Sequence, residues 1–279
     1  MITCSHSRTL AHHHHGLHHG HHVHHHVGPA AQQVLETAAE YEVAVNAHEP
    51  IKATGIRRTF PNAISREGLR GQEFNAWSVE GGNPPGHLPT VAFTRMLAGP
   101  IDFTPGIFNL KLSPYKEENQ INTTLAHQLA LYVVIYSPVQ MAADLPEYYE
   151  GHPAFQFIRE VGVDWEHSKV LNGEVGDYVT IARQERGSRR WFLGSITDEQ
   201  GRSLEAPLDF LPAGSNYKAT IYRDGEGAHW DKNPSAFRIE TFLVDQSTTL
   251  RLELAPGGGA AVALKPATAE EEEHLQTYR

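Results

Sequence analysis

The chain has 279 residues, of which 40% are hydrophobic and 20% charged, so it can bury a normal core and is not wholly disordered. Its formal net charge of −10 argues against a nucleic-acid-binding protein, because neutralising phosphates requires a basic surface. No apolar run reaches the roughly 18 residues of a membrane span. The single cysteine, Cys4, excludes an internal disulfide and a cysteine-based zinc site.

Residues 1–27 stand apart because eleven of the 19 histidines lie between His12 and His26. No basic segment precedes an apolar one here, so a secretory signal peptide is not visible. Either the tract binds nickel, copper or zinc through imidazole, or it is a cloning remnant or the product of a shifted start. Helical sequence begins directly after it, which favours the second interpretation.

Residues 28–162 alternate between helical and strand patterns. Gln33–Tyr41 has helical periodicity, and the short β-type run Val43–Ala47 follows and ends at His48-Glu49-Pro50. Residues 51–78 are rich in Gly, Pro, Arg and Glu, which predicts a long loop. Three further helices are predicted, at His87–Leu97, from Leu125 behind an Asn122-Thr123 cap, and within Pro146–Val161. A further strand end is predicted at Gly99–Phe103.

Period-2 runs dominate from Asp164 onward and predict an antiparallel β-sandwich over residues 163–266. They are separated by turn signals such as Asp224-Gly225, and they occur at Tyr178–Arg183, Trp191–Ile196, Tyr217–Tyr222, Phe237–Val244, Thr249–Leu254 and Ala260–Leu264. Residues 267–279 are predicted to be an acidic, solvated end.

The helix–strand alternation before residue 163 is typical of a (β/α)8 barrel or a doubly wound sheet. Residues 28–162 are too few for a whole barrel, which needs about 250 residues. The segment also begins with a helix rather than a strand. We therefore predict the C-terminal half of a barrel, followed by the β-sandwich.

Three carboxylates lie at and just beyond the predicted strand end, Glu49, Glu67 and Glu73. A glycosidase needs two carboxyl groups on opposite sides of the scissile bond, and a third suits a hard cation such as calcium. The alternative is a surface network in which Glu67 and Glu73 pair with neighbouring arginines, which are Arg57, Arg58, Arg66 and Arg70. Spacing alone favours the surface network.

The run AHEPIKATGIRRTFPNAISREGLRGQEFNAW, residues 47–77, strongly resembles glycoside hydrolase family 97, as do residues 93–106 and 137–144. The resemblance extends from about residue 30 to about residue 266. It implies bacterial α-glucosidases or α-galactosidases with an N-terminal sandwich, a central barrel and a C-terminal β-domain. It also implies a periplasmic or secreted full-length enzyme with an oligosaccharide substrate. The N-terminal domain and first half of the barrel have no counterpart here, so the chain is interpreted as a C-terminal fragment, and the resemblance leaves its activity on its own open.

The resemblance implies a role for each residue of the motif. Retaining members carry Gly where this chain has Glu49, which places the chain with the inverting, calcium-dependent α-glucosidases. Glu73 is then the general acid, and Glu49 is a general base that also binds calcium. Glu67 and Glu73 are further calcium ligands, and His48 contacts the sugar.

Other residues keep two interpretations. Asp102 either lines the site or is a hydrogen-bonded structural carboxylate, and His127 and His152 are expected to be satisfied structural histidines. The tryptophans could stack on sugars, although Trp191 is expected in the core; they are Trp77, Trp165, Trp191 and Trp230. The rival functions are a non-catalytic carbohydrate-binding β-domain and a histidine-rich metal-binding protein.

Overall fold

The computed structural model describes residues 2–5, 29–48 and 55–279. The predicted metal-binding histidine tract and Glu49 lie outside the described residues. Among the helices that the structure describes, none is long and apolar enough to cross a membrane.

The first part of the chain is a mixed α/β segment. Its strands are β1 (Ile2–Ser5), β2 (Val45–His48) and β3 (Ala63–Arg66), which form a parallel sheet in the order β1-β2-β3. The helices are α1 (Pro29–Glu40), α2 (Glu73–Trp77), α3 (His87–Phe93), α4 (Leu125–Val134), α5 (Pro146–Tyr149) and α6 (Phe155–Glu160). Short 3-10 turns occupy Ile56–Arg58 and Arg95–Ala98.

The parallel arrangement continues past β3. Ile101 forms an isolated parallel bridge with Arg66, and its backbone N–H donates to the carbonyl of Tyr136 at 2.9 Å. On the other side, Val45 packs with Leu35 and Ala38 of α1. The strand end predicted at Gly99–Phe103 therefore joins this sheet, whereas closure into a barrel stays a prediction.

Three sequence-based expectations for this segment are wrong in detail. Residues 51–78 are not one loop, because they contain β3 and α2. The helix predicted within Pro146–Val161 is two short helices, α5 and α6. Thr124, rather than Asn122 or Thr123, caps α4, and its hydroxyl accepts from the backbone N–H of His127 at 3.2 Å.

The second part is an antiparallel β-domain, as predicted. A six-stranded sheet has the order β4-β5-β6-β11-β8-β9, and β10 and β7 pair separately. The strands are β4 (Trp165–Glu174), β5 (Tyr178–Glu185), β6 (Trp191–Thr197), β7 (Arg202–Pro207), β8 (Tyr217–Asp224), β9 (Phe237–Val244), β10 (Thr249–Leu254) and β11 (Gly259–Pro266). β4, which lacks a period-2 pattern, and β7 were not expected from the sequence.

The six-stranded sheet buries both faces because apolar residues alternate between two cores. Leu193 and Val262 face the two-stranded sheet, with Leu250 and Leu252 of β10. Phe192 and Ala261 face the opposite way, into a core that contains α4 and the aromatic residues of α5 and α6. The helical segment and the β-domain thus share one hydrophobic core. The predicted domain boundary near residue 163 stays a prediction.

Residues 267–279 are not a simple solvated end, which corrects the sequence-based expectation. Helix α7 (Ala269–His274) begins with a capping box formed by Thr268 and Glu271. Glu271 also forms an ion pair with Lys218 of β8. Thr277 makes a parallel bridge to Leu243, so the chain end packs on β9.

Candidate active site

His48 and Asp102 meet where two neighbouring strands end. His48 is the last residue of β2, and Asp102 follows the bridge residue Ile101. The imidazole Nε2 is hydrogen-bonded to the Asp102 carboxylate, whose side chain is only 1% exposed. The backbone N–H of Asp102 donates to the carbonyl of Arg66 at 2.9 Å, which fixes the carboxylate below His48. Asp102 is therefore a hydrogen-bonded structural carboxylate that supports His48.

The charges around His48 favour its protonated form. Burial lowers the pKa of His48, but the hydrogen bond that its ring donates to Asp102 and the negative charges of Glu67, Asp102 and Glu73 raise it above its ordinary value. Two of the three carboxylates named from the sequence therefore lie close enough to act on His48 electrostatically. The structure joins His48 to Asp102 by a hydrogen bond and places Glu67 directly after β3, next to the end of β2, which spacing alone did not establish.

Glu73 is the first residue of α2 and is exposed. Its carboxylate folds back over Gly71, where a Cβ atom would lie 2.7 Å from Cδ of Glu73. Thr104 approaches from the segment that follows Ile101, and its hydroxyl lies 3.5 Å from Oε2 of Glu73. The same hydroxyl accepts from the backbone N–H of Gln72 at 3.3 Å. Gly71 and Thr104 together define where the carboxylate can lie.

The arginines of this region do not neutralise Glu73. In the described part of the chain, no ion pair joins Glu73 to an arginine, and the Arg70 guanidinium lies 4.5 Å from the centre of the Phe74 ring. Arg95 donates instead to backbone carbonyls that follow β3 and precede Ile101, those of Arg66, Glu67, Gly99 and Pro100. The surface network predicted as the alternative is therefore not formed at Glu73.

The described residues contain no group of three or more His, Cys, Asp or Glu side chains arranged to hold a metal ion. Glu67 and Glu73 supply carboxylate oxygens, which suit a hard cation, and the third predicted ligand, Glu49, lies outside the described residues. The donor chemistry fits calcium, whereas the described geometry alone does not complete a site.

Sequence reasoning missed the polar residues that hold α2, Gln72 and Gln128. Both are buried, and Gln72 Nε2 donates to Oε1 of Gln128 at 2.8 Å. A signal was present, because Gln128 interrupts the longest apolar run of the sequence. A glutamine inside such a helix must find hydrogen-bonding partners.

The remaining candidates are mostly structural. Trp165 and Trp191 are buried, and Trp230 packs against Gly257, whereas Trp77 is 63% exposed. His127 is buried, with Nδ1 3.2 Å from the carbonyl oxygen of Gly257. His152 stacks on Phe237. Both histidines are structural, but His127 is satisfied only at Nδ1, because its Nε2 is buried without a hydrogen-bond partner among the described residues.

Comparison with known proteins gives two family matches. Residues 164–265 match the model described as "Glycosyl-hydrolase 97 C-terminal, oligomerisation", and residues 21–69 match the model "Glycoside hydrolase 97". Together they account for more than half of the chain.

Individual relatives agree with these matches. The chain is 34% identical over 235 residues to a protein from Bacteroides thetaiotaomicron named "Retaining alpha-galactosidase", covering 82% of this chain and 35% of that protein. It is 52% identical to an enzyme from Pseudoalteromonas sp. strain K8 solved in complex with acarbose, with a TM-score of 0.81. A variant of that enzyme in complex with panose is 51% identical, with the same TM-score. Both structural matches cover 85% of this chain and 37% of the other, so the chain spans little more than a third of these relatives.

Proposed function

The chain belongs to glycoside hydrolase family 97, as its sequence resemblance predicted, and we propose that it supplies part of the active site of an inverting, calcium-dependent α-glucosidase. The remainder of the active site is proposed to come from the segments that precede the matched region in its relatives. The substrate is proposed to be an α-linked glucose oligosaccharide.

One observation carries this proposal, which is that His48 and Glu67 stand at the ends of the adjacent parallel strands β2 and β3, with the charge of Glu73 acting on His48 from the start of α2. Catalytic residues of α/β folds stand at the carboxyl ends of the strands. The buried Asp102 carboxylate fixes the His48 ring, so that His48 can present its other nitrogen to a sugar hydroxyl. A surface salt-bridge network would not require a buried carboxylate at this point.

Glu73 is assigned the role of general acid. It stands on α2 beside the strand ends, and its exposed carboxyl group can reach a glycosidic oxygen that enters from solvent. Protonating this oxygen lets the leaving sugar depart as a neutral alcohol. Glu49, one residue after His48 in the sequence, is assigned the role of base that removes a proton from the attacking water. Inversion requires the two carboxyl groups to be about 6.5–9.5 Å apart, which leaves room for that water.

Calcium is proposed to be held by Glu67, Glu73 and Glu49, with further ligands from outside this chain. When bound, the ion would supply positive charge that keeps the base Glu49 ionised. Three carboxylates make an incomplete set for a cation that takes six to eight oxygens. We expect calorimetry on residues 29–279 to show dissociation in the high micromolar range or weaker. Nanomolar affinity would mean that the site is complete within this chain.

A retaining α-galactosidase is the second candidate, because the Bacteroides relative carries that name. Glu49 favours the first candidate, since the family resemblance associates Gly at this position with retention. The Pseudoalteromonas relative in complex with panose, a glucose trisaccharide, supports glucose as the sugar.

The test is complementation of this chain with the missing part of an active relative. The chain is produced together with the segment of the Pseudoalteromonas enzyme that precedes the matched region. The assembled protein is then incubated with panose, with an aryl α-glucoside and with an aryl α-galactoside. NMR of the first-formed sugar is expected to show β-glucose from an α-linked substrate, reflecting a single displacement by water. Release of α-glucose first would remove the inverting mechanism, and hydrolysis of the galactoside alone would favour the second candidate.

Two substitutions locate the chemistry within this chain. Glu73→Gln is expected to slow panose hydrolysis far more than aryl glucoside hydrolysis, because only the poor leaving group needs a proton. Glu49→Gln is expected to slow both substrates. Glu80→Gln serves as the matched control, since Glu80 is exposed on the same segment, and it should change neither rate. An assembled complex that hydrolyses none of the three substrates would refute the proposal.

A further inference from the structure

Gln128 lies within α4, a helix whose ten residues are all buried. Both polar atoms of its side-chain amide are nevertheless hydrogen-bonded. Oε1 accepts from Gln72 Nε2 at 2.8 Å and from the backbone N–H groups of Gly106 and Ile107 at 3.0 and 3.3 Å. Nε2 donates to Thr123 Oγ1 at 2.8 Å. With four partners in an apolar environment, Gln128 has one fixed orientation.

Gln72 extends the hydrogen-bond network of Gln128 to the residues around Glu73. Its Oε1 accepts from Nδ2 of Asn75 at 2.9 Å, and Oδ1 of Asn75 accepts from the backbone N–H of Asn83 at 2.7 Å. Asn83 Nδ2 in turn donates to the carbonyl of Gly71 at 2.9 Å. Buried amides therefore hold both residues that precede Glu73.

The helix that carries Gln128 is itself seated on the β-domain. Glycines on two strands permit the close approach: a Cβ at Gly194 of β6 would lie 2.5 Å from the Ala130 carbonyl oxygen, and one at Gly259 of β11 would lie 2.7 Å from Cα of His127. Arg183 of β5 donates from Nε to the carbonyl of Val133 at 2.6 Å, which fixes the C-terminal end of α4. The six-stranded sheet thus provides a rigid base for α4.

We propose that Gln128 is a positioning residue for Glu73, and that it transmits the fixed position of α4 on the β-domain through Gln72 to the start of α2. The catalytic consequence rests on the proposed role of Glu73 as the acid. The hydrogen-bonded connection from Gln128 to α2 does not rest on that role, because these hydrogen bonds are present whatever the function of Glu73.

The connection is tested first on the full chain, without any assay of activity. Gln128→Met keeps the volume and removes the amide. We expect backbone hydrogen exchange at Asn75 and Ser78, whose N–H groups close the turns of α2, to become about tenfold faster, the factor that corresponds to one net hydrogen bond. Exchange in α4 and in β6 should change far less. Gln140→Met is the matched control, because Gln140 Nε2 donates to the carbonyl of Ile135 at the end of α4, and it should leave α2 unaffected.

Two outcomes of the exchange experiment would overturn the proposal. One is unchanged exchange in α2, and the other is an equal acceleration in α2, α4 and β6, which would indicate a general structural role. The variant Gln72→Met provides a second check. After Gln72 is removed, Gln128→Met should have little further effect on α2, whereas independent, additive effects would contradict a connection through this pair.

The catalytic consequence is tested in the chain complemented as described above. Gln128→Met should lower kcat for panose about tenfold or more with little change in KM, and it should affect an aryl glucoside much less, because misplacing the acid harms only the substrate that needs a proton. Equal losses on both substrates would overturn the positioning role. If Glu73→Gln itself shows no such selectivity, the proposed function fails, while the exchange result still decides whether Gln128 positions α2.

Discussion

The imidazole of His48 is hydrogen-bonded to the carboxylate of Asp102, a residue 54 positions later in the chain. The two meet because β2, β3 and the bridge at Ile101 are adjacent and parallel, so their carboxyl ends lie on one side of the sheet. The partner carboxylate determines which imidazole nitrogen is left to contact a substrate. This pair therefore sets the chemistry that His48 can offer.

Replacing Asp102 should change the protonation of His48. In Asp102→Asn we expect the pKa of His48 to fall, because the hydrogen bond and charge that raise it are lost while burial, which lowers it, remains. NMR titration of the labelled imidazole measures this directly. His87, whose pKa is lowered by burial, should not shift and serves as the internal control. An unchanged His48 titration would contradict the structural relationship.

Gly71→Ala should displace the Glu73 carboxylate, because a Cβ would lie 2.7 Å from Cδ of that side chain. In the complemented enzyme, kcat for panose should fall by as much as roughly a hundredfold, the order of loss that a misplaced catalytic group produces. The unfolding temperature should change little, since the flexible carboxylate can move away. Gly162→Ala, whose Cβ would approach the side chains of Glu185 and Trp165 instead, is the control. Wild-type activity in Gly71→Ala would show that the carboxylate position is not restricted in this way.

His127 should make the protein less stable in acid. Burial lowers the pKa of His127 to about 4, despite its hydrogen bonds to the backbone of Gly257 and Gly258. Below its unfolded pKa of about 6.5, the unfolded chain therefore binds a proton that the folded chain does not. This component of the free energy of unfolding should be lost as the pH falls from about 6.5 to about 4, by about 2 kcal/mol at pH 5. Urea unfolding at pH 7 and pH 5 measures this loss of stability, and the His127→Gln variant should not show it.

Asp224 should act in the opposite direction. Burial raises the pKa of Asp224 to about 6, although the N–H groups of Ala255 and Gly259 favour its ionised form. The folded chain then binds the extra proton between about pH 4 and pH 6, so this component of stability decreases as the pH rises through that range. Asp224→Asn should remove a pH dependence of about 3 kcal/mol. Urea unfolding across pH 4–7 measures it, and a profile for Asp224→Asn parallel to that of the wild type would disprove the assignment.

Gly194→Ala should destabilise the junction between α4 and the sheet. The new Cβ would lie 2.5 Å from the carbonyl oxygen of Ala130 and 2.9 Å from Cβ of Val133. The first is a backbone atom and the second belongs to a short side chain, so neither can move away easily. We expect the free energy of unfolding to fall by about 1–3 kcal/mol, the usual cost of overpacking. Urea denaturation measures the change. Gly187→Ala is the comparison, because Gly187 lies at an open turn with positive φ, where a Cβ causes backbone strain without crowding. The larger loss of stability should occur in Gly194→Ala.

Strands that carry an alternating apolar pattern could be predicted from the sequence, and others could not. β6 alternates between Phe192 on one core and Leu193 on the other, and β11 does the same, so both were predictable. β4 is exposed over most of its length and follows no such pattern. β3 has only four residues within a segment rich in Gly, Pro, Arg and Glu, and its identity depends on pairing with β2. An edge strand or a short parallel strand is defined by its neighbours rather than by its own side chains.

The residues of the candidate site were likewise only partly predictable from the sequence. The motif from residue 47 to residue 77 predicted the family, and it named His48, Glu67 and Glu73, which the structure brings together. Asp102 was ambiguous in the sequence, and Gln72 was not singled out at all. Their roles consist of hydrogen bonds to His48 and Gln128, residues more than 50 positions away.

The sequence by itself therefore determined the periodic elements, the family and the carboxylates available for chemistry, because these depend on residue types and local spacing. Only the tertiary structure decided which groups face each other: Asp102 with His48, Gln128 with Gln72, and α4 with the glycines of β6 and β11. The physical reason is that hydrogen bonds and close packing act over a few ångströms in space. Chain segments far apart in sequence satisfy them only after the sheets have fixed their register.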